Sequence, residues 1–439
     1  MSAYREAWRL AWPLILSNLS VPLLGMVDTA VVGHLSSPHY MGAVAIGAVV
    51  LGVVYFLFGF LRMGTTGLTA QAFGRSDRPE CAAWLGRGVL VAAVIAAMLL
   101  LLAGSLIDLS LRLFEPGQRV AGELATYLSI RLLGAPAALI TMVVLGWLLG
   151  LQNARGPMAL LIATNGVNMA LDLLFVLGFG WAVAGVAWAT VCAEYGGLLL
   201  GLWLVRRALG PGWSKRTLWA TIGRPAAFRR LLVVNRDFFL RSLCLEAGFV
   251  TFSALSARQG EVLLAANAVL FNLHLLAAHG LDGFAHAAEA MIGRHVGAGD
   301  PSGMRAAFRA NMAWALVLAL LLALGFLVFG PAAIRIMTGL EDVRASALAF
   351  LPYMVVSPLI SVWAYLFDGV FVGATRTAEM RNGMAVSLAV FWLAAFLLVP
   401  AFGNHGLWLA LLVLMSARGL WLGVIYAHHR PEVWAPARH

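Results

Sequence analysis

Asn168 and Asp172 stand four residues apart, a spacing that puts both on one face of a helix. Asp28 lies in the apolar run Val27-Asp-Thr-Ala-Val-Val-Gly-His34, and Thr190 brings a short hydroxyl to another apolar run. Brought together, two carboxylates, an amide and a hydroxyl make an all-oxygen pocket. Close carboxylates share a proton readily, because repulsion and desolvation both favour the neutral form. The same four oxygen donors could hold a small hard cation such as sodium. A second stripe, His279, Asp282, His286 and Glu289, is spaced three, four and three residues apart and shares one helix face. Imidazoles set between carboxylates titrate near neutrality and can pass protons, although a polar wall of an aqueous cavity would read the same way.

The elements that carry these groups must cross a membrane. Of 439 residues, 62% are apolar and 11% charged, with mean hydropathy +0.88. Charged residues make up about a quarter of an ordinary soluble domain, so thirty bases and twenty acids cannot coat a soluble chain of this length. Disorder, a fibre and a secreted disulfide scaffold are excluded by the same composition. Apolar runs able to span about 30 Å of hydrocarbon recur twelve times. They fall at 10–33, 41–63, 86–108, 124–148, 157–178, 184–205, 235–255, 264–290, 309–330, 347–372, 383–402 and 406–427. The first run is long, follows Arg5 and Arg9, and lacks a cleavage site, so no removable signal is expected. The fold expected is an all-α polytopic membrane protein.

The charge of +10 follows the topology. With the amino terminus inside, twenty-two of the thirty Lys and Arg fall on cytoplasmic segments and six on outer loops, which places both termini in the cytoplasm. The segment from Arg206 to Arg241 holds nine bases and one acid. It reads as an inner-face linker near anionic lipid, not a nucleic-acid site. Cys81, Cys192 and Cys244 are scattered and read as small apolar residues. Trp8, Trp12, Trp84, Trp181 and Trp408 fall near span ends, as interfacial anchors would. Walker, HExxH and CxxC motifs are lacking, so no enzyme chemistry or cofactor is expected beyond a coupling proton or sodium.

A shift of 223 residues superposes the two halves. Gly74 falls on Gly297, Asp77 on Asp300, Gly146 on Gly369 and Gly150 on Gly373, while Gly185 meets Gly406 at a shift of 221. Six spans per half is even, so the halves share one orientation as parallel repeats. Two six-helix lobes are therefore expected, 1–205 and 235–439, joined by the basic linker 206–234. Seven acids lie inside spans: Asp28, Asp172, Glu194, Glu246, Asp282, Glu289 and Asp368. The repeat puts Thr251 opposite Asp28, Ala395 opposite Asp172, Gly59 opposite Asp282, Thr66 opposite Glu289 and Leu145 opposite Asp368. Folding of the duplicated scaffold does not by itself demand these acids. Arg62 and Arg418 also lie within spans, and few other bases do.

Four stretches carry a family resemblance. They are Pro22-Leu-Leu-Gly-Met-Val-Asp-Thr-Ala-Val-Val-Gly-His-Leu35, Thr66-Gly-Leu-Thr-Ala-Gln-Ala-Phe-Gly74, Leu281-Asp-Gly-Phe-Ala285 and Asp368-Gly-Val-Phe-Val-Gly-Ala-Thr-Arg-Thr-Ala-Glu-Met-Arg-Asn382. The chain resembles the multidrug and toxic compound extrusion family over its whole length and, within it, the branch typified by DNA-damage-inducible protein F. The resemblance implies a two-lobed antiporter of the bacterial inner membrane, working in the bilayer as a monomer. It would expel small organic, often cationic or amphipathic, compounds in exchange for protons or sodium. The family's amino-lobe cation site falls on Asp28, Asn168, Asp172 and Thr190, and its helix-1 bending proline on Pro13. Asp368 matches a carboxy-lobe acid of other branches, and Glu246 stands near a second. With Asp282, His286 and Glu289, Asp368 forms a candidate carboxy-lobe coupling group. The rivals are a lipid or lipid-linked saccharide exporter of the same fold, which would want a more basic cavity, and an integral-membrane transferase, which would want an acidic or His motif on a loop.

Overall fold

The computed structural model describes residues 2–33, 37–210 and 222–428. Among them the chain forms fifteen α-helices. The first nine are α1 Ala3–Gly33, α2 Pro38–Phe58, α3 Phe60–Gly74, α4 Arg78–Leu101, α5 Ala103–Phe114, α6 Gln118–Leu132, α7 Ala135–Gly150, α8 Arg155–Asp172 and α9 Ala182–Leu209. The other six are α10 Pro225–Ala257, α11 Glu261–Ala298, α12 Pro301–Met337, α13 Glu341–Gly373, α14 Thr377–Phe402 and α15 Asn404–His428. A π-helical stretch, Leu173–Gly178, continues α8.

These helices carry the twelve spans. Ten stretches are long and apolar enough to cross a membrane, with α2 and α3 counted as one of 37 residues. The pair α6 and α7, bent by 49°, supplies an eleventh, and α1 at 31 residues the twelfth by length. The bend falls at Gly134-Ala-Pro136, where the proline lacks the N–H that would continue the ladder. Several helices overrun their apolar cores. α11, 38 residues long, extends about 57 Å, nearly twice the hydrocarbon thickness. At the ends of the basic linker, α9 runs on to Leu209 and α10 begins at Pro225. Residues 211–221 lie outside the described residues.

The chain divides into two compact units. One comprises Met1–Ile15, Ala70–Ser76 and Val233–His439, the other Leu16–Thr69 and Asp77–Leu232. Thus α1, α3 and α10 each contribute to both. In α1 the changeover follows Pro13, whose missing N–H leaves the Arg9 carbonyl without its usual intrahelical partner. Leu51, Leu124, Leu128, Val183 and Val186 centre the core of the second unit. Phe252, Leu270, Phe391, Leu411 and Trp408 centre that of the first.

The repeat read from sequence is a repeat of packing. In the second unit Gly146 and Gly150 of α7 lie against the backbone carbonyls of Arg62 and Thr66 in α3. In the first, Gly369 and Gly373 of α13 lie against those of Ala285 and Glu289 in α11. All four pairs superpose under the same shift of 223. At each glycine a Cβ would run into the neighbouring backbone, which explains why glycine recurs there. The repeated aspartates are caps. Asp77 accepts the Glu80 N–H at 3.0 Å and Asp300 the Gly303 N–H at 2.9 Å, each opening a helix whose first turn contains proline. The Gly303 N–H, the Ser302 hydroxyl and His295 together pull the Asp300 carboxyl down to about 2.

Two tryptophans are not anchors. Trp84 is buried under the Arg87 guanidinium, and Trp408 is buried with its Nε1 donating to Asn267 Oδ1 at 2.8 Å. Asn267 also bonds Ser256 and Asn404, a buried polar network that fastens α10, α11 and α15 together. Trp8, Trp12 and Trp181 are exposed, as interfacial residues should be.

Candidate functional site

In the second unit, α8 and α9 pack antiparallel through small residues. Gly201 lies against Leu160, Gly197 against Thr164 and Gly185 against Val176. Carrying that register between the last two pairs sets Asp172 at the level of Ala189 and Thr190, and Asn168 at the level of Ala193. Ala189 and Ala193 are fully buried and bring only methyl groups to this level. Asp172 is fully buried and Asn168 nearly so. Neither Nδ2 nor Oδ1 of Asn168 has a hydrogen-bond partner among the described residues. An amide left this way costs about 1–3 kcal/mol, a cost that a bound ion or water at this place would offset. Thr190 is half-buried and donates its hydroxyl proton to the Val186 carbonyl at 3.0 Å, so its oxygen keeps the capacity to accept.

One bond ties this helix pair to α1. Asn165 Nδ2 donates to Ser20 Oγ at 2.7 Å. α1 and α8 belong to the first and fifth spans and therefore run the same way. From that bond Asp28 is about 12 Å further along α1, and Asp172 about 10 Å further along α8, so their backbones come to one level. The Asp28 side chain lies outside the described residues. Directly after Asp172 the helix changes to π geometry. A π stretch widens the turn and frees backbone groups, and such stretches gather at functional sites. Sequence patterning gives no hint of it.

The remaining acid of this unit has a partner. Glu194 meets Arg131 at 3.0 Å, with both largely buried. The pair braces α9 against α6 and puts the Arg131 guanidinium inside the bundle.

In the first unit, Asp368 is gripped by two guanidiniums. Arg241 of α10 and Arg418 of α15 both donate to Asp368 Oδ2, and all three residues are buried. The Arg418 guanidinium lies over the Tyr365 ring at 5.4 Å. Sequence reasoning left Arg418 without a role and counted Arg241 with the basic inner-face segment. The signal was present, because a base in a span needs an acid, and Asp368 was at hand. Asp282 and His286 are half-buried on α11, and Glu289 is buried beside the α13 crossing. His279 Nδ1 bonds its own helix at the Leu275 carbonyl, 2.7 Å away. A further histidine, His274, is buried one turn before it with Nδ1 2.9 Å from Ser357 Oγ. Glu246 is half-buried on α10.

Intramembrane bases are more numerous than the sequence reading allowed. Arg87, Arg131, Arg241 and Arg418 are all buried. Each is paired with an acid: Glu80, Glu194 and, for the last two, Asp368. The Arg131 and Asp368 pairs tie different helices together, whereas Arg87 and Glu80 both belong to α4.

Comparison with known proteins decides the family. The MatE family model matches residues 13–174 and 238–400, once in each half. The chain belongs to the MatE family. It is 44% identical over 441 residues to DNA damage-inducible protein F of Escherichia coli (strain K12), covering 99% of this chain and 95% of that one. Multidrug and toxin extrusion protein 1 of Homo sapiens is 25% identical, with 97% of this chain and 73% of that one covered. A solved multidrug resistance MATE family transporter of the MOP superfamily, in an outward-facing conformation, superposes with a TM-score of 0.91 at 17% identity. It covers 100% of this chain and 98% of that one. The fold is therefore the twelve-helix MATE fold, and the MatE chain is a membrane transporter and not an enzyme.

Proposed function

We propose that the chain is a secondary active antiporter that exports small organic, cationic or amphipathic compounds across the bacterial inner membrane. Protons are the favoured coupling ion, with sodium the alternative on the same oxygen donors. Asp28, Asn168, Asp172 and Thr190 carry the ion, and Pro13 lets helix 1 bend. Two lobes, 1–205 and 235–439, alternate access as a monomer around the linker 206–234, with both termini in the cytoplasm. The observation that carries this reading is Asn168, a buried amide with neither polar atom partnered among the described residues, one turn from a fully buried carboxylate. The pair is a prepared polar site, and a carboxylate whose proton is exchanged for a cationic substrate makes an antiporter. An exporter of lipid-linked saccharides is disfavoured, because each buried arginine is already engaged by an acid, with Asp368 serving two of the four. The test is dye extrusion by inverted vesicles energised with a pH gradient or a sodium gradient in turn. Extrusion that follows neither gradient would remove the antiporter reading.

A further inference from the structure

Along α13 and α15 runs an apolar groove of about 600 Å³. Leu359, Trp363 and Phe367 of α13 form one wall, and Leu420 and Val424 of α15 the other. Gly419 and Gly423 let the helices approach, with Gly423 lying against the Phe367 ring. On α15 the lining extends from Ser416 to Ala427, about 16 Å along the axis. Leu359, Trp363, Leu420 and Val424 are exposed, so the groove opens outward along its length.

One end of this groove is basic. Phe367 stacks on Phe308 of α12, with centroids 5.6 Å apart, and Tyr426 closes the triangle at 4.6 Å from Phe308. Arg305 and Arg309 flank Phe308, both are exposed, and both act electrostatically on Tyr426. They share one face of α12, being four residues apart. An apolar slot with two cations at its mouth matches one acyl chain and an anionic headgroup, and it opposes a cationic compound.

We infer that this groove binds an anionic phospholipid of the cytoplasmic leaflet, with an acyl chain between α13 and α15 and the phosphate at Arg305 and Arg309. The choice of leaflet rests on the orientation proposed above, whereas binding itself does not. The test is native mass spectrometry of the full-length, delipidated protein titrated with phosphatidylglycerol or phosphatidylcholine of the same chains. The parental protein should retain phosphatidylglycerol preferentially. Replacing Arg305→Gln and Arg309→Gln together should weaken that preference roughly tenfold, as expected for two surface bases acting on one headgroup. Val424→Trp, which fills the groove at an exposed position, should lower retention of both lipids. Equal retention of the two lipids by the parental protein would overturn the inference, as would an undiminished preference in the double arginine variant. Displacement of the lipid by a cationic dye, with no effect of headgroup charge, would reassign the groove to substrate. Dye efflux is not the readout, so failure of the antiporter reading would leave this result intact.

Discussion

Gly74 and Gly297 occupy equivalent places on α3 and α11, and each lacks the Cβ that would strike the other helix. A Cβ on Gly74 would meet the Arg294 carbonyl, and one on Gly297 would meet the Gln71 carbonyl. Gln71 and Arg294 are themselves equivalent under the 223-residue shift, so the crossing is symmetric about its own centre. Gln71 Nε2 adds bonds of 3.0 Å to the Gly373 carbonyl and to Thr375 Oγ1. Arg294 adds a two-pronged pair with Glu6 of α1.

Backbone contact this close leaves no slack for a methyl group. Gly297→Ala should lower stability by about 1–3 kcal/mol through overpacking. Gly325→Ala on α12, where nothing lies within 4 Å, should be neutral or raise stability by about 0.5–1 kcal/mol. Thermal unfolding of the two variants in detergent checks the contrast, and a Gly297→Ala protein as stable as the parent would reject the crossing.

Asp368 makes a different kind of prediction. Removing its charge leaves Arg241 and Arg418 buried together without the carboxylate that bonds both, a loss on the order of 3–5 kcal/mol. Asp368→Asn should therefore reduce folded yield, with Arg418→Met restoring part of it in the double variant. Measured by size-exclusion recovery, normal yield of Asp368→Asn with selective loss of transport would assign the residue to coupling instead.

The helix caps predict a pH profile. Asp300 is held at about 2 by the Gly303 N–H and its neighbours. A depressed carboxyl stabilises the fold above its ordinary titration range and loses that stabilisation as pH falls toward 2. Asp300→Ala should cost about 1 kcal/mol of stability. His295, 3.0 Å away and held below the ordinary imidazole range by burial, is neutral above pH 7, so that loss should be constant from pH 7 to 8. Melting temperatures of the two proteins across that range measure it, and a gap that widens with pH would contradict the assignment.

The linker should act on insertion and not on recognition. Replacing Lys215, Arg216 and Arg224 with Gln removes three of its bases. Membrane abundance should fall while the pattern of compounds exported per unit protein stays the same. A changed pattern at equal abundance would count against this role.

Composition and repeated glycines made the fold legible, because lipid admits few architectures and a duplicated crossing must keep its small residues. Gly146 and Gly369 could be paired from sequence and are paired in space. Spacing alone was enough to put Asn168 and Asp172 on one face. The π stretch after Asp172 was illegible, since Leu173–Gly178 has no feature that distinguishes π from α geometry. The arginine clasp on Asp368 was also missed, because its partners come from α10 and α15, far away in sequence. Burial of Trp84 and Trp408 was misread for a related reason. A tryptophan near a span end is an anchor only if no neighbouring helix covers it.

Asp28 and Asp172 are proposed above to couple proton entry to export. The most direct test is substrate movement in proteoliposomes holding the parental protein, Asp28→Asn or Asp172→Asn, under an imposed pH gradient with sodium absent. The account predicts gradient-driven transport by the parental protein and background rates in both variants at equal reconstituted amounts. Parental transport that ignores the pH gradient and requires sodium, or either variant moving substrate at the parental rate, would contradict it.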